Sequence, residues 1–219
     1  MNPSFLLAAT LLLPLVGTLF IALTGSRQNL REAVTLVTAG VLAVIVYSLL
    51  QDVLAGARPA VTLVEVVPGL PLRLEIEPLG MLFACVASGL WIVNSLYSIG
   101  YMRGNHEHKQ TRFYMCFAVA IASAMGIAFA GNMFTLFIFY ETLTLSTYPL
   151  VAHKETEEAK RGARIYLGLL IGTSIGFQMV AIIWTWLAAG TLDFTAGGIL
   201  RGKVEPAVLP FLLALYMFG

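Results

Sequence analysis

Phe113 to Ala152, reading FYMCFAVAIASAMGIAFAGNMFTLFIFYETLTLSTYPLVA, spans forty residues and holds one formal charge, Glu141. A helix needs about 20 apolar residues to cross a hydrocarbon core of roughly 30 Å. This stretch is therefore long enough for two crossings, and the Gly131-Asn132 pair at its middle is a turn signal. It reads as a tight helical hairpin whose second arm, the fifth span of the chain, runs from Met133 to Ala152.

Measured against the same length, the rest of the chain divides in the same way. Ala33 to Gln51 is uncharged between Glu32 and Asp52, Pro78 to Met102 between Glu77 and Arg103, and Ile165 to Leu192 between Arg164 and Asp193. The first 26 residues carry no charge. A cleavable leader would begin with a basic segment, so residues 3 to 24 read as a retained first span. A seventh run starts at Pro206, suited to a first helical turn, and its fourteen residues to Gly219 cover about 21 Å, short of a full crossing. The expectation is an all-α, polytopic transmembrane helical bundle of about six full spans plus a partial seventh. The chain then reads as the N-terminal part of a longer polypeptide, with helices 1–2 and an outer loop in residues 1–77 and helices 3–7 in residues 78–219.

Composition supports this class and excludes others. Hydrophobic residues make up 58% of the 219 and charged residues 11%, where soluble domains carry about a quarter charged. The net charge of +1 offers no basic field for nucleic acid. Cys85 and Cys116 lie in apolar runs without CxxC spacing and read as small core residues. No phosphate-binding GxxxxGK, GxSxG elbow or HExxH motif occurs, so no cofactor is expected.

Basic residues in short loops set orientation. The loops after spans 1, 3 and 5 hold nine (Arg27, Arg31, Arg103, Lys109, Arg112, Lys154, Lys160, Arg161, Arg164) against four on the other side (Arg58, Arg73, Arg201, Lys203). This predicts a cytoplasmic position for the nine and an N-terminus outside. Small residues recur every four positions at Ala118, Ala122, Gly126 and Ala130 and again at Gly168, Gly172 and Gly176, which reads as two packing faces. The outer loop Gly56 to Glu77, with β-favouring Val61 to Val67, suits a short hairpin.

The residue that carries chemistry is Glu141. A charge at a helix centre costs about 3 kcal/mol on insertion scales, so it should face protein or water rather than lipid. Desolvation favours its neutral form and a nearby cation its charged form, so a changing partner would let it load and release protons. The alternative is a neutral carboxyl bonded to Thr144 or Tyr148 on the same face. Pro149 can kink the span, and Thr142, Thr144, Ser146 and Thr147 either line a water path or bond their own helix. His153, at the end of the span, has the range to pass protons. Beyond it, Thr156 suits an N-cap and Glu157 a pair with Arg161. His106, Glu107 and His108 read as a surface loop, because their spacing without further ligands is weak evidence for a metal.

Three stretches carry a resemblance: Tyr97-Ser-Ile-Gly-Tyr-Met-Arg103 with Arg112-Phe-Tyr114, then Gly131-Asn-Met-Phe-Thr-Leu-Phe-Ile-Phe-Tyr-Glu141, then Ser146-Thr-Tyr-Pro-Leu150 with Ala163-Arg-Ile-Tyr166. Together they resemble the antiporter-like subunits shared by respiratory complex I and Mrp-type monovalent cation/proton antiporters, over roughly residues 75 to 219, and in detail are more similar to the D-type component of Mrp antiporters. The resemblance implies a fold of about fourteen helices with two inverted five-helix repeats. It also implies a location in a bacterial-type cell membrane, other membrane subunits as partners, and protons and sodium ions as candidate cargo. In that family the fifth-span glutamate, here Glu141, pairs with a lysine on the seventh span, and this sequence ends about where the residues leading to it begin. The functional readings are a cation/proton antiporter subunit, a proton-pumping subunit of a quinone- or hydrogenase-linked redox complex, and a membrane scaffold in which Glu141 only orients helices.

Overall fold

The computed structural model describes residues 2–219. Eight α-helices and one β-hairpin follow in chain order: α1 (Pro3–Leu23), α2 (Gln28–Leu54), β1 (Ala60–Val67), β2 (Leu70–Glu75), α3 (Pro78–Gly104), α4 (Gln110–Ala128), α5 (Met133–Val151), α6 (Glu157–Thr173), α7 (Val180–Ala189) and α8 (Leu209–Phe218). A π-helical segment, Ser174–Met179, joins α6 to α7, and the three form one continuous rod from Glu157 to Ala189.

Five of these helical units, α1 to α4 and that rod, are long and apolar enough to cross a membrane. The expectation of six full spans is met less evenly than the uncharged runs suggested. α5 has 19 residues, enough for about 28 Å, but Glu141 and its hydroxyls lower its apolarity. α8 has ten residues and begins at Leu209 with Pro210 in its first turn, so Pro206 lies before the helix rather than opening it. The chain is mostly helical, and the valine-rich outer loop forms the short hairpin its sequence suits. β1 and β2 pair antiparallel from Ala60↔Glu75 to Val67↔Leu70. Pro68 and Gly69 make the turn, and Gly69 at φ 84° supplies the left-handed conformation that a proline-led turn needs at its third position.

The helices alternate direction around α4, which packs against α1, α3 and α5. A shared core of Leu7, Ile21, Leu42, Leu49, Trp91, Met125 and Phe129 holds α1–α4 together and extends to Leu74 and Ile76 at the hairpin. Outward faces remain apolar, with Leu19, Val37, Tyr97 and Leu187 all exposed, the reverse of a water-soluble surface. The stripe on α4 packs as its spacing predicts: Ala118 and Ala122 are buried, and a Cβ on Gly126 would run into the Phe139 ring. The stripe on α6 does not. Gly168 and Gly172, with Gly176 in the π-helical segment, have nothing within 4 Å of a Cβ placed on them, so among the described residues that face is unoccupied.

The Gly131-Asn132 turn is where the hairpin docks. Gly131 N donates to Arg73 O (2.8 Å), Glu75 N to Phe129 O (2.7 Å), and Leu74 bridges Ala130. A side chain on Gly131 would crowd Arg73 and Glu75 at 3.1–3.3 Å. Asn132 caps α5 by accepting from Thr135 N (2.7 Å) and donates to Pro71 O (2.9 Å), which satisfies orphan donors at the start of the helix. At the opposite end the turn and loop after α1, α3 and α5 lie together, joined by contacts such as Gln28–Gln110 (2.9 Å) and Lys109–Glu155 (2.5 Å).

Candidate functional site: the α5 carboxylate and its charged end

α5 places Glu141 at its middle, half-buried, and the carboxylate oxygen Oε1 is buried with no hydrogen-bond partner. Its helix is apolar ahead of it, where Phe137 one turn earlier is 5% exposed, and alternates leucines with hydroxyl residues after it. Among the described residues no cation pairs with it. Thr144 and Tyr148 do lie on its face at i+3 and i+7, Thr144 buried and Tyr148 half-buried, but neither bonds to it.

Three other hydroxyls near Glu141 bond carbonyls of their own helix. Thr142 Oγ1 donates to Ile138 O (2.8 Å), Ser146 Oγ to Leu143 O (2.8 Å) and Thr147 Oγ1 to Thr144 O (2.9 Å). Such bonds satisfy a hydroxyl in an apolar setting. The helix runs on through Pro149 to Val151, although proline cannot donate to the Leu145 carbonyl. Thr142, Ser146 and Pro149 line a cavity of about 330 Å³ with Thr18 of α1 and Cys116 of α4.

His153 lies just past the α5 cap, Ala152. Both ring nitrogens are buried without partners. Its Nε2 is 3.8 Å from Glu107 Oε2, its ring meets Phe113 edge-on at 5.9 Å, and its carbonyl accepts from Arg112 Nη2 (3.3 Å). Burial pushes the imidazole below its ordinary value; Glu107 and Glu155 pull it up, and Arg112 adds to the lowering. Beside it Glu155 is paired with Lys109 and with Arg112. Those two cations hold its carboxyl at about 2. Thr156 caps α6 as its sequence predicts, accepting from Ala159 N (3.1 Å). Glu157 pairs with Lys160 at 3.0 Å, one residue short of the expected Arg161.

Two features are not legible in the sequence. Glu107, in what reads as a surface loop, is folded against His153 across 46 residues of chain. Arg31 and Glu32, which read as a loop charge and a span boundary, are both 4% exposed inside α2. Glu32 pairs with Arg103 of α3 and lies 3.4 Å from Arg31. Arg31 also bonds Gln110 (2.7 Å) and Thr111 (3.1 Å) of α4 and sits 5.2 Å above the Tyr114 ring. One signal was present in Glu32, an acid directly abutting a span, which is expensive unless paired.

Comparisons with known proteins agree with this architecture. Residues 130–217 match the family described as NADH:quinone oxidoreductase/Mrp antiporter, TM. The chain is 30% identical over 187 residues to a probable inorganic carbon transporter subunit of Halothiobacillus neapolitanus, covering 84% of this chain and 32% of that one. It is 25% identical over 135 residues to the D component of a probable K(+)/H(+) antiporter of Rhizobium meliloti, covering 61% and 24%. This chain thus spans about a third or less of these relatives' length. Its fold superimposes on a chain of a membrane-bound sulfane sulfur reductase, an archaeal respiratory membrane complex, with a TM-score of 0.82 at 24% identity, over 97% of this chain and 43% of the other. The paired helices around the Gly131-Asn132 turn and these matches agree: residues 130–217 carry the membrane segment of the NADH:quinone oxidoreductase/Mrp antiporter family, and the chain is similar to antiporter-like membrane subunits of that kind.

Proposed function

We propose that this chain is part of a D-type membrane component of a multi-subunit cation/proton antiporter, in which Glu141 takes up and gives back protons within a half-channel. The observation that carries the reading is the buried, unpartnered Oε1 of Glu141 at the middle of α5. A buried carboxylate oxygen without a donor is costly when charged. A cation brought beside it offsets that cost, so a partner that comes and goes provides the alternation a proton carrier requires. His153, at the end of α5 that the basic-residue bias assigns to the cytoplasm, is the mouth of the path, with Thr144 and Tyr148 between. Twelve residues separate His153 from Glu141, about 18 Å along a helix, so water or side-chain steps must bridge them. No covalent chemistry is involved.

The test is Glu141→Gln in the assembled complex reconstituted into proteoliposomes, with proton uptake read by a pH-sensitive dye. Glutamine keeps the shape and removes the titration. Loss of uptake with intact assembly is expected; unchanged uptake would leave only the scaffold reading. The family also includes redox-linked complexes, so the second reading is a subunit whose proton movement is driven by electron transfer elsewhere. Neighbouring genes separate the two: small antiporter subunits favour the first, and quinone- or hydrogenase-reacting subunits the second.

A further inference from the structure

We propose that Glu107 and His153 together form a proton-collecting site at the end of α5, Glu107 attracting the proton from the loop side and His153 passing it inward; this rests on the proton-carrying role of Glu141.

Two cavities meet at this pair. One, of about 440 Å³, lies among loop residues and is lined by His108, Lys109, Glu155 and Thr156. The other, of about 310 Å³, lies among helix ends and is lined by Tyr101 and Met102 of α3, Phe113 of α4 and Leu150 of α5. Glu107, His153 and Lys154 line both. The pair therefore stands between a charged, loop-side space and an apolar-walled space beside the helix that carries Glu141.

The imidazole is poised rather than committed. Buried polar atoms in folded proteins are nearly always hydrogen-bonded, and an exception calls for a reason. Here neither nitrogen of His153 has a partner. At 3.8 Å the approach to Glu107 is too long for a hydrogen bond, yet close enough for a full charge on the ring to be felt. A proton arriving from water binds one ring nitrogen, leaving water behind, and the resulting imidazolium is held opposite the Glu107 carboxylate. Loss of the proton from the other nitrogen to water in the helix-end space leaves the neutral ring in its other tautomer and moves one H⁺ across the pair, with no bond to carbon made or broken. A neutral imidazole has one donor and one acceptor nitrogen, which suits this hand-over.

The surrounding charges make Glu107 the acid in play. Facing the ring are Glu107, His108 and Lys109 from the α3–α4 loop, Arg112 from α4, and Lys154 and Glu155 from its own loop. Glu155 is occupied by Lys109 and Arg112, a trio with one positive charge left over, so among the described residues Glu107 is the carboxylate facing the ring that no lysine or arginine holds, and it is the one left to attract the proton. The same Glu155 bridge ties the two loops together and fixes their separation. Backbone strain is concentrated here as well. Among the described residues the non-glycine residues with positive φ are His106, Lys109 and Glu155, all within two positions of Glu107 or His153. Such conformations persist only where the surroundings over-determine them, and they gather at functional sites.

The experiment has two arms. In the full chain in lipid nanodiscs, the His153 imidazole is followed by NMR against pH, assigned among three histidines by its loss in His153→Gln. Glu107→Gln should lower the protonation midpoint of His153 by about one pH unit, and Glu107→Asp should restore most of it. In the assembled complex, Glu107→Gln and His153→Gln should each slow proton uptake several-fold, with the Glu107→Gln optimum moved to lower pH, whereas Glu158→Gln, at an exposed acid of α6 that lines neither cavity, should leave the rate unchanged. An unchanged His153 midpoint overturns the pairing. Normal uptake in both variants while Glu141→Gln abolishes it overturns the collecting role and leaves the proposed function standing. Normal uptake in Glu141→Gln itself overturns the proposed function, and the collecting role with it.

Discussion

Arg103, in the last turn of α3, holds the carboxylate of Glu32 in the second turn of α2, and Glu32 is at the same time 3.4 Å from Arg31 on its own helix. One buried acid thus ties two arginines across two helices, while Arg31 reaches a third through Gln110 and Thr111. Removing one partner of a buried pair is more costly than the pair's net worth, because the other charge stays behind without compensation. Glu32→Gln should destabilise the bundle by about 3 kcal/mol, measured by unfolding in mixed micelles. Arg103→Gln should cost less, since its side chain is far more exposed and Arg31 remains beside Glu32.

The docking of the hairpin on the α4–α5 turn depends on one missing side chain. Gly131→Val would drive its Cβ and methyls into Arg73 and Glu75, which already lie 3.1–3.3 Å from a bare Cβ. Amide exchange at Glu75 and Gly131 should accelerate strongly while exchange in α1 stays slow. Asn132→Ala removes the α5 cap and should cost about 1 kcal/mol; slow exchange at Thr135 in that variant would contradict the capping role.

The Glu155 bridge has a defined pH dependence. Lys109 and Arg112 hold its folded value at about 2, below the roughly 4.3 of a free glutamate. A group lowered on folding contributes stability that is fully present above its unfolded value and is lost as pH falls toward the folded one. The two loops should therefore stay clasped at pH 5 and separate between about pH 4 and pH 2. Spin labels at positions 108 and 154 report the distance. In Glu155→Gln that distance should be longer and insensitive to pH across this window.

The two glycine stripes should respond in opposite ways. Gly126→Ala places a methyl on the Phe139 ring and should loosen α4 from α5. Gly168→Ala meets nothing within 4 Å, so the isolated chain should gain up to about 1 kcal/mol from better helix propensity. A destabilised Gly168→Ala would mean that α6 packs where the structure leaves it open.

Hydropathy and local signals settled where most of the helices lie, though not the start of α8, and also that a turn falls at Gly131-Asn132, that Thr156 starts α6, that the outer loop suits a hairpin, and that Glu141 sits mid-helix. These depend on interactions within a turn or two of chain, or on the solvent each segment requires, and both are written in residue order. The tertiary structure alone decided that Glu32 meets Arg103, that Glu107 meets His153, that the α4 stripe packs and the α6 stripe does not. Such contacts follow from the rotation and relative depth of neighbouring helices, quantities set by how whole faces of side chains interlock, so a residue's immediate neighbours in sequence carry almost no record of them.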